Sequence, residues 1–387
     1  MDGMGWMDPQ KWADSRKIDT FLEYAAQVRE KADVFVLIGV GGSNQAARAV
    51  IEALRPEGGP RILYAGNNLS AIEMNRILCE IEGKSVYLNV IAKNFETLEP
   101  GAAFRILRAE LKKRYGDAYR ERIFATGTAG SSLEALCREK GYRFLEFPED
   151  VGGRYSALTS VGLFPMAAAG VDIRELVRGA LDLRKELERN QKEDHPVRAY
   201  AAMRNELYRR GYRIELLAYF EPSLYWFSRW WIQLFAESEG KEERGIYPAS
   251  FQCTEDLHST GQFVQEGTPI IFETFLEIGD TGSSLVIAED EEADGFAYLA
   301  GRDLDEVNRL AAKAVKEAHE KRNPCLEIRM EKLDAYWFGR MFYFFEYACF
   351  LSARLLNVDP FDQPGVEKYK KILFAALREE KGGKEKI

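Results

Sequence analysis

The chain has 387 residues, 46% hydrophobic and 30% charged, with 53 Lys and Arg against 62 Asp and Glu and a formal net charge of −9. That length accommodates two ordinary domains, each with its own core, and the composition is that of a globular protein. The acidic balance excludes nucleic acid or an anionic membrane as the main partner, while leaving room for a local basic cleft.

The five cysteines are odd in number and show no CxxC spacing. They read as structural thiols in a reducing compartment rather than as disulfides or a zinc site. The first residues lack a basic region followed by an apolar one, and charges interrupt every apolar stretch before the ~18 residues of a membrane span. A cytoplasmic protein with no membrane span is therefore expected.

In chain order, Val34–Ile38 is a continuous apolar run of the kind buried on both faces of a sheet. Similar runs at 61–65, 86–91, 122–126 and 142–147 alternate with helical patterns near 44–55, 70–81, 98–115 and 131–140. This rhythm predicts a parallel sheet with right-handed crossovers. The charged 183–195 segment reads as a surface helix leading into a second domain. Beyond it the pattern returns more weakly, with strands at 214–219, 284–288 and 326–330 and helices at 224–238, 302–320 and 333–355. The charged tail 378–387 is expected to fray. The fold class is thus α/β: two doubly wound parallel-sheet domains, 1–180 and 181–357, followed by a C-terminal helical segment, 358–387.

Five segments carry candidate chemistry. Gly39-Val40-Gly41-Gly42-Ser43 links the first strand to a helix. It is either a bare tight turn or a place where free helix N–H groups meet an anion. Asn44 and Ala46 break the GxGxxG spacing of a dinucleotide fold. Gly152-Gly153-Arg154 suggests a turn that aims an always-charged guanidinium into a cleft, where it can stabilise an oxyanion; a surface salt bridge is the plainer reading. Gln233 and Glu237, four apart, share a face at the end of an aromatic helix. Partial burial there would suit Glu237 to act as a base, and a solvated carboxylate is the alternative. Of three histidines, His195 and His319 lie in charged helical contexts and read as surface residues, whereas His258 follows Glu255-Asp256 and is a candidate proton carrier or a structural histidine. Lys370 follows the rigid turn Asp359-Pro360-Phe361-Asp362-Gln363-Pro364-Gly365, and spacing alone marks it as a solvated helix lysine.

Together the segments GVGGS, VGGRYSALTSVG, ESEGK with GIYPAS, EDLHS-GQ-VQEG and FDQPGVEKYK resemble the phosphoglucose isomerase family in its shorter bacterial form, in order from Gly5-Trp6 to Lys370. The resemblance implies two sugar-isomerase (SIS) domains and homodimers with shared active sites. It implies an aldose–ketose isomerase in which Glu237 moves a proton between C2 and C1 through a cis-enediol and Arg154 stabilises the enediolate. His258, often supplied by the neighbouring subunit, and Lys370 would open the sugar ring. Gln233, Gln363, Gly42 and Ser43 would contact the substrate. This chemistry requires no metal or cofactor.

One loop departs from the family pattern. Members hold the substrate phosphate with patterns such as SKSGTTTE or SKTFTTQE, whereas this chain has Ala92-Lys93-Asn94-Phe95-Glu96-Thr97-Leu98-Glu99. Hydroxyl donors are lost and a carboxylate is gained. At about 4 Å in high dielectric that carboxylate repels each unit of substrate charge by roughly 1 kcal/mol. Either Glu96 points away and backbone N–H groups, Lys93 and Thr97 bind phosphate, or the pocket takes another C6 tail, or the sugar is neutral or activity is lost. A sulfonate, tetrahedral with one charge, suits Asn94 and Glu96 better. Some proteins resembling this family interconvert sulfoquinovose and 6-deoxy-6-sulfofructose, so the expectation is a sulfoquinovose isomerase. Glucose-6-phosphate isomerase is the alternative, and a non-catalytic SIS sugar-binding module is the third reading.

Overall fold

A computed structural model describes residues 3–93, 95–292 and 294–384. The first half contains strands β1 (Val34–Ile38), β2 (Arg61–Ala65), β3 (Val86–Ile91), β4 (Ile123–Gly127) and β5 (Arg143–Glu146). The second contains β6 (Ile214–Tyr219), β7 (Tyr247–Gln252), β8 (Ile271–Asp280) and β9 (Cys325–Lys332). They form a sheet of order β2-β1-β3-β4-β5 and a sheet of order β7-β6-β8-β9. Every neighbouring pair runs parallel, with Val34 opposite Arg61 on one side and Val86 on the other. The α/β class and the parallel sheets are those expected from the sequence.

Parallel sheets need cover on both faces, and alternate residues supply it. Phe35 and Leu37 of β1 and Leu217 and Tyr219 of β6 enter one core shared by the two sheets. Val34, Val36 and Ile38 pack outward against Phe104 and Leu107 of helix Leu98–Tyr115. Leu216 and Ala218 pack outward against Phe251 and Val264. Helices Gly42–Leu54, Ser160–Ala169, Tyr225–Glu239 and Ala335–Leu355 contribute to the shared core. Trp230 and Trp231 are completely buried there. Burial of an aromatic this size contributes on the order of 2–3 kcal/mol, which fixes the position of the Tyr225–Glu239 helix.

The structure corrects several expectations. Residues 284–288 are not a strand. Leu285 and Val286 are exposed in the excursion after β8, where Val286 makes one isolated antiparallel bridge to Asp303. Strand β8 went unrecognised because buried polar residues interrupt its apolar pattern: Glu273 pairs with His319 Nδ1 at 2.8 Å, and Thr274 Oγ1 donates to Glu215 at 2.6 Å. Strand β7, with Pro248 in second place, sits at a sheet edge where the missing N–H is tolerated.

The 183–195 segment is the end of a longer helix, Ile173–Arg189, whose Leu183 and Leu187 are buried in the shared core. His195 and His319 are buried rather than on the surface. His195 Nδ1 accepts the Val197 N–H at 3.3 Å as an N-cap, while His319 is held by Glu273. Among the described residues, no helix is long and apolar enough to cross a membrane.

Candidate active site

Strands β1 and β3 are neighbours where the strand order reverses, the place where open parallel sheets bind ligands beyond the carboxyl ends of their strands. Two of the singled-out loops leave from there: Gly39–Ser43 after β1 and residues 92–97 after β3.

The first loop is built for close approach. Gly41 has φ +58°, and a Cβ there would lie 2.7 Å from Gln233 Nε2. A Cβ on Gly42 would lie 2.0 Å from the Gly153 carbonyl oxygen. Only glycine lets the N-terminus of helix Gly42–Leu54 touch both the Gly152–Arg154 turn and the helix Tyr225–Glu239. Ser43, partly exposed, is the second residue of its helix.

Arg154 joins the second turn to this group. Its guanidinium is wholly buried and lies 3.1 Å from Glu237 Oε1. Its Nε donates to Ser238 Oγ at 2.8 Å, and Nη2 donates to the carbonyls of Asp362, at 3.3 Å, and Pro360. The other Glu237 oxygen accepts from Gln233 Nε2 at 2.9 Å. The carboxylate is thus oriented from both sides and remains partly exposed, with 21% of its side chain accessible. Gln233 Oε1 is buried with no hydrogen-bond partner among the described residues, which makes it an acceptor available to a ligand hydroxyl. A base fixed beside a guanidinium, opening toward solvent, can abstract a proton and stabilise the resulting oxyanion.

The carbonyls that Arg154 holds belong to the turn just before Gln363. Lys241 grips the same turn: its ammonium is 2.5 Å from Asp362 Oδ1 and donates to the Asp359 carbonyl. Lys241 was not among the residues singled out from the sequence, although it ends the ESEGK segment. Gln363 is partly buried, and Lys370, also partly buried, lies in the first turn of helix Glu367–Lys384.

In the altered loop, Lys93 turns toward neighbouring backbone. Its ammonium donates to the carbonyls of Glu149 at 2.9 Å and Val151 at 3.0 Å, bracing the segment that enters the Arg154 turn. Burial holds its pKa below the usual lysine value. Phe95 adopts φ +53°, where the SKSGTTTE pattern has glycine, and packs edge-on to Phe104 with ring centroids 6.1 Å apart. Glu96 and Thr97 are exposed, immediately before helix Leu98–Tyr115. Asn94 lies outside the described residues. His258 is exposed at the end of the short helical turn Glu255–His258 and shares no hydrogen bond or ion pair with the Arg154–Glu237 group. The fold therefore gathers Arg154, Gln233, Glu237, Gly42 and the turn before Gln363, and leaves His258 on a separate element.

Among the described residues, no cluster of His, Cys, Asp and Glu could hold a metal ion.

Comparison with known proteins places these residues in context. Residues 23–386 match the family model described as phosphoglucose isomerase. The glucose-6-phosphate isomerase of Clostridium perfringens is 43% identical over 97% of this chain and 87% of its own length. That of Shouchella clausii is 43% identical over 97% and 86%. Among solved structures, a hypothetical protein from Thermus thermophilus superposes with a TM-score of 0.90 at 25% identity, over 97% of this chain and 90% of that one. A glucose-6-phosphate isomerase from Chlamydia trachomatis superposes with a TM-score of 0.80 at 20% identity, over 95% and 74%.

Proposed function

Because the chain belongs to the phosphoglucose isomerase family, we propose that this isomerase interconverts glucose 6-phosphate and fructose 6-phosphate. The observation that carries the reading is the Glu237 carboxylate held 3.1 Å from the buried Arg154 guanidinium and hydrogen-bonded by Gln233 at 2.9 Å. In this reading Glu237 takes the proton from C2 and returns it to C1, while Arg154 neutralises the enediolate oxygen that forms between the two steps. Gln233 orients the base and receives a sugar hydroxyl on its free oxygen. Gly42 and Ser43 bring the first loop against the sugar.

Gln363 and Lys370 belong to the 358–387 arm, which Arg154 and Lys241 tie down at residues 359–362. Lys370 shares ring opening with His258. The exposure of His258, away from Glu237, fits delivery into the site of a second copy of the chain, so a homodimer is part of the proposal.

The C6 tail is read as phosphate, the alternative at the level of sequence, and not as sulfonate. The relatives at 43% identity support this substrate. The sulfosugar expectation rested on the 92–97 loop alone. An exposed Glu96 weakens it, because about 1 kcal/mol of repulsion per unit charge at 4 Å is further reduced by salt and is offset by the N–H groups of the following helix.

The test is isomerisation of glucose 6-phosphate in D2O. Deuterium should enter fructose 6-phosphate only at C1, to the extent that the protonated Glu237 exchanges with solvent before returning its proton, and Glu237→Gln should lower kcat by about 10³ or more while substrate still binds. Deuterium appearing in fructose 6-phosphate at a carbon other than C1, or an active Glu237→Gln variant, would overturn the assignment of the base.

A further inference from the structure

Behind Glu237 lies a second charged group that the proposed chemistry does not use. Arg204, on helix Pro196–Arg209, is completely buried. Its Nη2 donates to Glu239 Oε2 at 2.7 Å, and its Nη1 is paired with Glu215 of β6. Glu215 and Glu239 are likewise fully buried. Glu215 Oε1 also accepts from Tyr200 Oη and Thr274 Oγ1, each at 2.6 Å. The Arg204 guanidinium lies 4.0 Å from the Phe235 ring centroid, on the same helix as the base.

Two carboxylates around one guanidinium is an expensive arrangement in a dry core. Hydrophobic replacement of a buried ion pair is often neutral or stabilising, so stability alone gives little reason for it. Its place suggests the reason. Glu237, Ser238 and Glu239 are consecutive in the last turn of helix Tyr225–Glu239, where the helix dipole is negative and disfavours carboxylates. Arg154 holds Glu237 and Ser238 from one side, and Arg204 holds Glu239 from the other.

We propose that Arg204, acting through Glu239, is a positioning residue that locks the last turn of this helix and so fixes the Glu237 carboxylate against Arg154. Glu215 orients the Arg204 guanidinium, with Tyr200 and Thr274 holding Glu215. The inference rests on the reading of Glu237 as the base. The other titratable groups facing the cluster are Tyr200, beside Arg204, and Cys349 of helix Ala335–Leu355. Burial pushes both up to about 12, so neither titrates in the range of an isomerase assay.

The experiment compares full-length Glu239→Gln and Arg204→Lys with wild type by circular dichroism, thermal melting and the pH dependence of kcat and KM for glucose 6-phosphate. Glu239→Gln keeps the shape and leaves Arg204 paired with Glu215. Arg204→Lys keeps the charge but cannot span two carboxylates. Both should lower kcat about tenfold or more with KM changed less than about threefold, the pattern of a misplaced base. Glu239→Gln should also move the acid limb of the profile to lower pH, because it removes a negative charge from behind the base. Folded variants with kcat within about twofold of wild type and an unmoved acid limb would overturn the inference. If Arg204→Lys does not fold, Glu239→Gln decides. An active Glu237→Gln variant would instead sink the underlying reading of the base, so the two failures are distinguishable.

Discussion

Replacing Arg154 by lysine keeps the positive charge and removes the fork. The guanidinium touches Glu237 at 3.1 Å, Ser238 Oγ at 2.8 Å, the Asp362 carbonyl at 3.3 Å and the Pro360 carbonyl. A lysine ammonium is a point charge with three donors and cannot reach acceptors spread over a helix end and a distant turn. Loss of two charge-assisted bonds at about 1.5 kcal/mol each destabilises the fold by about 3 kcal/mol. At roughly 1 °C per kcal/mol for a chain of 387 residues, Tm should fall by roughly 3–4 °C. Catalysis should suffer more, because loss of one aligned oxyanion donor costs about 10²–10³ in rate. The assay pairs kcat/KM for glucose 6-phosphate with a thermal melt on the same preparation. A variant that melts with wild type and keeps kcat/KM within about threefold would refute the account of Arg154 as both clamp and oxyanion partner.

Three further outcomes are expected. Gly42→Ala places a methyl 2.0 Å from the Gly153 carbonyl oxygen, so the Arg154 turn must shift; kcat should drop at least about tenfold, and an unchanged kcat would show that the contact is slack. Lys93→Met removes the two bonds that brace Glu149 and Val151, and kcat should fall along with any rise in KM; a change in KM alone would return Lys93 to direct anion binding. Burial raises the Glu346 carboxyl well above its usual 4.5, and neither of its oxygens has a hydrogen-bond partner among the described residues. The folded state therefore holds a proton that the unfolded chain loses first. This contribution to stability is full below about pH 4.5 and is lost as pH rises toward the folded value, at about 1.4 kcal/mol per unit. The Tm advantage of Glu346→Gln over wild type should thus grow between about pH 5 and pH 8, and a constant difference would contradict a buried neutral acid.

The first sheet was readable because β1 is an unbroken apolar run and β3 is interrupted only by Asn89, each closed by glycine or loop signals, which is close to what burial on both faces requires. The second sheet was less so. Its β8 carries Glu273 and Thr274, each satisfied only by residues remote in sequence, and no local pattern announces His319 or Glu215 as their partners. The same limit applies at the site. Gln233 and Glu237 were visible because a spacing of four puts both on one helix face, and their hydrogen bond follows from it. Arg154 was marked by two glycines, but its reach to residues 360 and 362 depends on the fold. A lysine in an anion loop looks like a ligand, and the sequence does not reveal that the Lys93 ammonium also braces the backbone carbonyls of Glu149 and Val151. Arg204 carried no motif, and Lys241, though it ends the ESEGK segment, lies in a charged stretch; each looks solvated until its partners are known.

The most direct measurement is the ratio of kcat/KM for glucose 6-phosphate to that for sulfoquinovose, taken on the purified protein. The account predicts a ratio well above about 10², because the proton-transfer group is common to both sugars and only the C6 tail differs at residues 92–97. A ratio below one would contradict it, and would assign the altered loop to a sulfonate after all.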